Sequence, residues 1–152
     1  MLETKIVLVA SVSIIRENKV LMIKENKEYA KNLWNFPSGR LEYGEGILDA
    51  AVREAKEETG YDVRLTETTG VYNFFGSSNH QAILFHFIGE IVGGTLQLEE
   101  TGIIDSKWIK ISDLLIPELY QLRNRKVIEH IAENLLAEKK YPLESFCHHL
   151  LR

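Results

Sequence analysis

Three glutamates crowd one side of a short helix-forming stretch, an arrangement few folds tolerate without a cation opposite them. Between Gly39 and Tyr61 the chain reads GRLEYGEGILDAAVREAKEETGY. Successive helical residues turn by about 100°, so Glu54, Glu57 and Glu58 share a face. Glu54 and Glu58 form a like-charge i,i+4 pair, which costs roughly 0.2–0.5 kcal/mol. Glu57 and Glu58 also occupy the last turn, where the helix dipole is already negative and favours Lys or Arg. Two helix rules broken at one spot point to a compensating positive charge.

The spacing predicts a helix from about Gly46 to Thr59, closed by Gly60 just past its end. Gly46 is an acceptable N-cap, though a second-rank one. Leu48, Ala51, Val52 and Ala55 form an apolar stripe beside the carboxylates, expected to pack on a sheet. Ala50 lies among the glutamates and leaves space for a ligand.

Elsewhere the chain alternates in a strand-like way. IVLVASVSII and KVLMIKE flank Arg16–Lys19 as a hairpin, and the first run is too short to span a bilayer. A signal-peptide core is the competing reading of that run, but no small-residue cleavage site follows it. Asn26 to Asn35 reads as a polar loop. After Gly60, VRLTETTGVYNFFG, QAILFHFIGEIV, TLQL and KWIKI read as strands. Pro117 opens a last helix expected over about 118–139, striped by Leu119, Leu122, Val127, Ile128, Ile131 and Leu135. The expectation is one α/β (α+β) domain over residues 1–152, a mixed β-sheet between helices. A net charge of −4 gives no nucleic-acid footprint, so nucleic acid is not an expected partner. The lone Cys147 cannot form an internal disulfide and fits a reducing cytoplasm.

The segment resembles the signature of the Nudix hydrolases, G-x5-E-x7-R-E-U-x-E-E-x-G-U, with U a bulky aliphatic residue. Gly39, Glu45, Arg53, Glu54, Glu57, Glu58 and Gly60 fill every fixed position. Ala55 and Tyr61 depart from the U pattern, which bears on packing rather than chemistry. The hairpin, Trp34-Asn35-Phe36-Pro37 and Asp105-Ser106-Lys107-Trp108 also sit where that family would place them. The resemblance implies a Nudix-type α/β/α sandwich and a pyrophosphohydrolase. Its expected partner is a small-molecule nucleotide diphosphate derivative, and its cofactor Mg²⁺, with Mn²⁺ as a substitute.

Mg²⁺ takes about six oxygen ligands and usually keeps several waters, so a few carboxylates on a rigid helix can supply the protein's share. The resemblance makes Glu57 and Glu58 the main metal ligands and Glu54 a ligand or the general base. Gly39 would contribute its carbonyl. Arg53 is either a surface ion pair with Asp49 and Glu57 or, as the resemblance suggests, the residue that orients a metal-binding glutamate. Glu45 is a distal ligand or a hydrogen bond that fixes the approach loop. By the same resemblance Glu99 and Glu100 are candidates for a later-loop base or an additional ligand, against a solvated acidic turn. Arg40, Lys24 and Lys27 are candidate phosphate contacts, and Phe74 and Phe75 flank a loop where an aromatic could stack a base. His86 is expected to be a satisfied histidine in a strand.

The substrate beyond the diphosphate is open. A nucleoside triphosphate is the default, and the alternative class is a non-catalytic nucleotide-sensing module. A homodimer through the last helix or a sheet edge is compatible with the pattern.

Overall fold

The computed structural model describes residues 5–76, 79–98 and 102–151. Its strands are β1 (Ile6–Arg16), β2 (Lys19–Lys27), β3 (Ala30–Asn35), β4 (Ser38–Arg40), β5 (Tyr61–Phe75), β6 (Gln81–Gly94), β7 (Ile103–Lys110) and β8 (Tyr141–Pro142). The helices are α1 (Ile47–Thr59) and α2 (Arg125–Leu136). Glu17 and Asn18 both take positive φ, 52° and 63°, the backbone a tight two-residue hairpin requires between β1 and β2.

The sheet runs β3-β2-β1-β6-β5-β8, with β4 added to β1 and β7 to β2. Strands β1 and β6 pair in parallel, from Ile6↔Gln81 to Ile14↔Gly89, and the other pairings between the described strands are antiparallel. Strand β1 is central and covered on both sides, which explains its near-continuous apolar run. Ala10, Val12 and Ile14 pack with Ala50, Ala51, Ala55 and Phe87 under α1. Val9 and Ile15 pack on the other face, with Leu84, Ile88, Ile128, Ile131 and Leu135 under α2. The result is the expected α/β/α sandwich. Among the described residues no helix is long and apolar enough to cross a membrane.

Three stretches differ from their sequence pattern. Asn26–Asn35 is not a loop: β2 continues to Lys27, and Ala30–Asn35 returns beside it as a sheet-edge strand. Polar side chains suit an edge that faces water on one side. Thr95–Leu98 forms no strand; instead the Gln97 N–H donates to Thr59 O at 2.8 Å, tying the segment to the end of α1. The last helix starts at Arg125 rather than near residue 118, and ends at Leu136. Residues 121–123 run alongside β3 instead, with Trp34 N–H donating to Gln121 O and Arg123 N–H to Trp34 O, at 2.8 and 2.9 Å. Leu122 is buried by that pairing, whereas Leu119 stays 49% exposed. Asn124, left-handed at φ 50°, then turns the chain into α2.

His86 is fully buried between two β1 hydroxyls, with Ser11 Oγ on Nδ1 and Ser13 Oγ on Nε2, each at 2.6 Å. Burial pushes its pKa down to about 3, so the folded imidazole is neutral. An unfolded histidine takes up a proton below about pH 6.5. The stability this residue contributes is therefore complete above pH 6.5 and is lost as pH falls towards 3, by about 2 kcal/mol at pH 5. Urea midpoints measured at pH 7 and pH 5 should show that loss, and the variant His86→Gln should show a shallower slope. Equal slopes would mean that the imidazole is not held neutral.

Candidate functional site

Small residues bring α1 close to the sheet. Ala50, Ala51 and Ala55 have no exposed surface, so Ala50 belongs to the packed face and not, as its spacing suggested, to the ligand side. The apolar arc is rotated towards Ala50, while Leu48 and Val52 lie at its half-buried margin. Gly60 closes the helix at φ 85°, its N–H donating to Lys56 O at 2.9 Å. A Cβ there would lie 2.2 Å from Thr95 O, so only glycine fits. Tyr61, aromatic where the signature has an aliphatic, packs partly buried against the α1 side of the core.

That placement gives the three glutamates unequal surroundings. Glu58 is 2% exposed, and its Oε1 accepts the Ser38 N–H at 2.8 Å. Burial pushes its carboxyl up to about 8, assisted by the charges of Glu54 and Glu25 and opposed by the Ser38 bond and Lys27. Lys27 Nζ stands 3.9 Å from Glu58 Oε2. The Glu54 carboxylate lies against the backbone of Gly39, where an added Cβ would meet it at 2.1 Å. Glu57 is the outermost, with its side chain 42% exposed.

Arg53 gathers the remaining carboxylates. Nε and Nη2 donate to Glu45 at 2.6 and 2.9 Å, and Nη1 donates to Glu54 at 2.8 Å and Glu57 at 3.1 Å. Nη2 also donates to Arg40 O at 3.1 Å. Glu45 in turn accepts the Glu42 N–H at 3.0 Å, closing the loop before α1. The bonds from Arg53 hold the Glu45 carboxyl below the usual carboxylate range, and raise the guanidinium's own pKa. So Arg53 answers part of the electrostatic conflict read from the sequence, through Glu54 and Glu57. Among the described residues no three acidic, imidazole or thiol side chains converge tightly enough to enclose a metal ion as they stand. Arg53 draws Glu54 and Glu57 to itself.

A cavity of about 340 Å³ opens beside these residues. Its lining includes Glu54, Glu57, Glu58, Gly39, Arg40 and Lys27, and the apolar Val7, Val9, Leu84, Val127, Ile128 and Ile131. Phe74 lines this cavity, but Phe75, next along β5, is 73% exposed and faces away, as strand alternation requires. Phe36 also lines it and packs at a tilt against His86, ring centroids 4.7 Å apart, while Trp34 packs edge-on against Tyr120. Lys24 lies over the Trp34 ring at 5.6 Å. Glu45 is not on the cavity wall; it acts on Arg53. Glu99 and Glu100 lie outside the described residues. Glu25, Asn35, Arg123 and Asn124 were not singled out by the sequence: three of them line the cavity, and Glu25 is buried behind it. Arg123 and Asn124 were hidden inside the predicted helix, and Glu25 was read as the polar end of a strand.

A family model of the NUDIX domain matches residues 5–131. The chain belongs to the Nudix hydrolase family. It is 34% identical over 130 residues to "Putative nudix hydrolase 1" of Caenorhabditis elegans, the match covering 85% of this chain and 34% of that protein. The chain thus spans about a third of that relative. It is 33% identical over 117 residues to the "Putative 8-oxo-dGTP diphosphatase" of Bacillus subtilis, covering 77% of this chain and 73% of the other. Among solved structures, a NUDIX hydrolase from Nitrosomonas europaea superposes with a TM-score of 0.79 at 28% identity, covering 92% of this chain and 95% of that one.

Within this Nudix helix and its leading loop, Gly39 is the tightest point. Gly39→Ala is expected to displace the Glu54 carboxylate and lower turnover about tenfold or more, since positioning defects of this kind cost roughly 10–100-fold. Thermal stability should change little, because a flexible side chain can move aside. A wild-type rate in the alanine variant would show that the Glu54 position does not matter.

Proposed function

We propose that the chain is a Mg²⁺-dependent pyrophosphohydrolase acting on a nucleoside diphosphate linked to a further moiety. The observation that carries this reading is the buried Glu58, whose carboxyl burial pushes up to about 8, beside Glu54 and the side-chain-free backbone of Gly39 that Glu54 lies against. That donor set fits a hard divalent cation: oxygen atoms only, from carboxylates within two turns of one rigid helix. Glu58, Glu57 and Glu54 would hold the ion, with the Gly39 carbonyl, after modest side-chain rotation away from Arg53. When bound, Mg²⁺ neutralises the diphosphate, polarises phosphorus and eases ionisation of the attacking water.

The chain's own residues supply the rest. Glu54 is a further ligand or the base that takes the water's proton, and it is held in place by Arg53 and by its contact with Gly39. Arg53 and Glu45 fix the loop that ends at α1. The charged residues of the lining suit a diphosphate, and the apolar ones, Phe74 and Val127 among them, suit a flat organic group such as a nucleobase. A nucleoside triphosphate remains the default substrate, in keeping with the printed name of the Bacillus subtilis relative.

The test is a panel of nucleoside triphosphates, dinucleoside polyphosphates and nucleoside diphosphate sugars, assayed for phosphate or pyrophosphate release with Mg²⁺ and with EDTA. Release that requires Mg²⁺ supports the reading. Binding of a nucleotide without release would overturn it in favour of a sensing module.

A further inference from the structure

Arg53 and Arg123 both serve this site, and they differ in how many donors are already committed. Arg53 uses all three of its nitrogens on protein acceptors. Among the described residues Arg123 donates only from Nη1, which reaches both oxygens of Glu25 at 3.1 Å. Its Nε is buried and has no partner among the described residues, and Nη2 donates to no described acceptor. An arginine with most of its donors unspent, beside a cavity, is prepared for an anion.

The guanidinium is also held still. Glu25 is 1% exposed and is further contacted by Lys27 Nζ at 3.1 Å and Asn35 Nδ2 at 3.4 Å. A carboxylate buried to that degree persists only where its partners compensate it. The Tyr29 ring lies 5.5 Å from the Arg123 guanidinium, and the Arg123 main chain is bonded to Trp34. Arg123 and Tyr29 line the same cavity as Glu54, Glu57 and Glu58.

We propose that Arg123 is a substrate ligand, its Nη2 gripping a phosphate oxygen of the diphosphate, with Glu25 as the positioning residue that aims it. This rests on the reading of the cavity as a diphosphate site. A fixed guanidinium lining the same cavity as the helix carboxylates orients the phosphate chain between a cation site and a planar donor.

The probe is imidodiphosphate, which resists hydrolysis, titrated calorimetrically into the intact protein with saturating Mg²⁺. Thermal midpoints are measured on the same samples without ligand. Arg123→Gln is expected to raise Kd at least tenfold, and Arg123→Lys by an intermediate factor, because lysine keeps the charge but not the fork. Glu25→Gln should weaken binding in the wild-type background and have no further effect in the Arg123→Gln background. Wild-type affinity in Arg123→Gln, with only the thermal midpoint lowered, would reduce Arg123 to a counter-ion for Glu25. Equal effects of Glu25→Gln in both backgrounds would remove Glu25 from its positioning role. Should Arg123→Gln fail to fold, Arg123→Lys decides: unchanged Kd overturns the assignment and raised Kd supports it. A wild-type protein that binds no imidodiphosphate would overturn the diphosphate reading itself, and Arg123's role with it.

Discussion

Glu58→Gln should lower Mg²⁺-dependent turnover by at least about a hundredfold while leaving the protein folded. Groups that merely orient a metal's ligands cost roughly 10–100-fold when removed, so losing a ligand's charge should cost at least the upper end of that range. Folding should survive because glutamine has the same shape and its amide oxygen can still accept the Ser38 N–H that Glu58 holds at 2.8 Å. The substitution also removes a carboxyl that is costly to bury in its charged form, so the thermal midpoint should be equal or slightly higher. Rates measured across a Mg²⁺ titration, beside thermal melts, provide the check. A variant that turns over at the wild-type rate would sink the assignment of Glu58 to the cation. Glu57→Gln should behave similarly in rate, with less effect on the melt because its side chain is 42% exposed.

The second large effect is expected at Arg53. Arg53→Ala removes the partner of three carboxylates at once, so Glu45, Glu54 and Glu57 are left to repel one another. Turnover should fall roughly 10–100-fold, the range for residues that orient a metal's ligands. Stability should fall by about 1–3 kcal/mol, since Glu45 and Glu54 are largely shielded from water and lose their donor. Arg53→Lys should recover little, because an ammonium cannot reproduce a fork that reaches Glu45 with one edge and Glu54 with the other. Added guanidinium ion should restore part of the rate to the alanine variant. If Arg53→Lys matched wild type in rate, a plain ion pair would suffice to describe this residue.

The helix of glutamates, its glycine stop and the strand hairpin were readable because each follows from short-range rules. Periodicity placed the carboxylates, and Gly60 marked the end of the helix. The β2–β3 edge and the delayed start of α2 were not readable in the same way. The first is a short hairpin, with Lys27 paired to Ala30, whose polar side chains hide the strand pattern; the second depends on a long-range pairing, of Gln121 and Arg123 with Trp34. Leu119 and Leu122 fall into a helical stripe by spacing, yet the backbone between them is drawn to a neighbouring strand. Ala50 shows the limit at finer grain: a rotation of α1 on the sheet by a fraction of a turn moved it from the ligand side to the core. Phe75 shows the same for a strand, where adjacent aromatics must face opposite ways. Glu25 and Arg123 lie far apart in sequence and are joined only by tertiary structure, so no local signal marks the pair.

The parallel pairing of β1 with β6 also bears on how the site comes into being. The cavity wall takes Val9 and Ser11 from β1 and Ala82 and Leu84 from β6, while the Nudix helix lies in the chain between them. Closing such a long loop is an entropically expensive step that native contacts reward only late. A half-folded molecule could thus carry a formed helix and all its glutamates, yet have no wall against which to hold a substrate. Recovery of activity during refolding should track closure of the whole sheet, not formation of the helix that bears the chemistry.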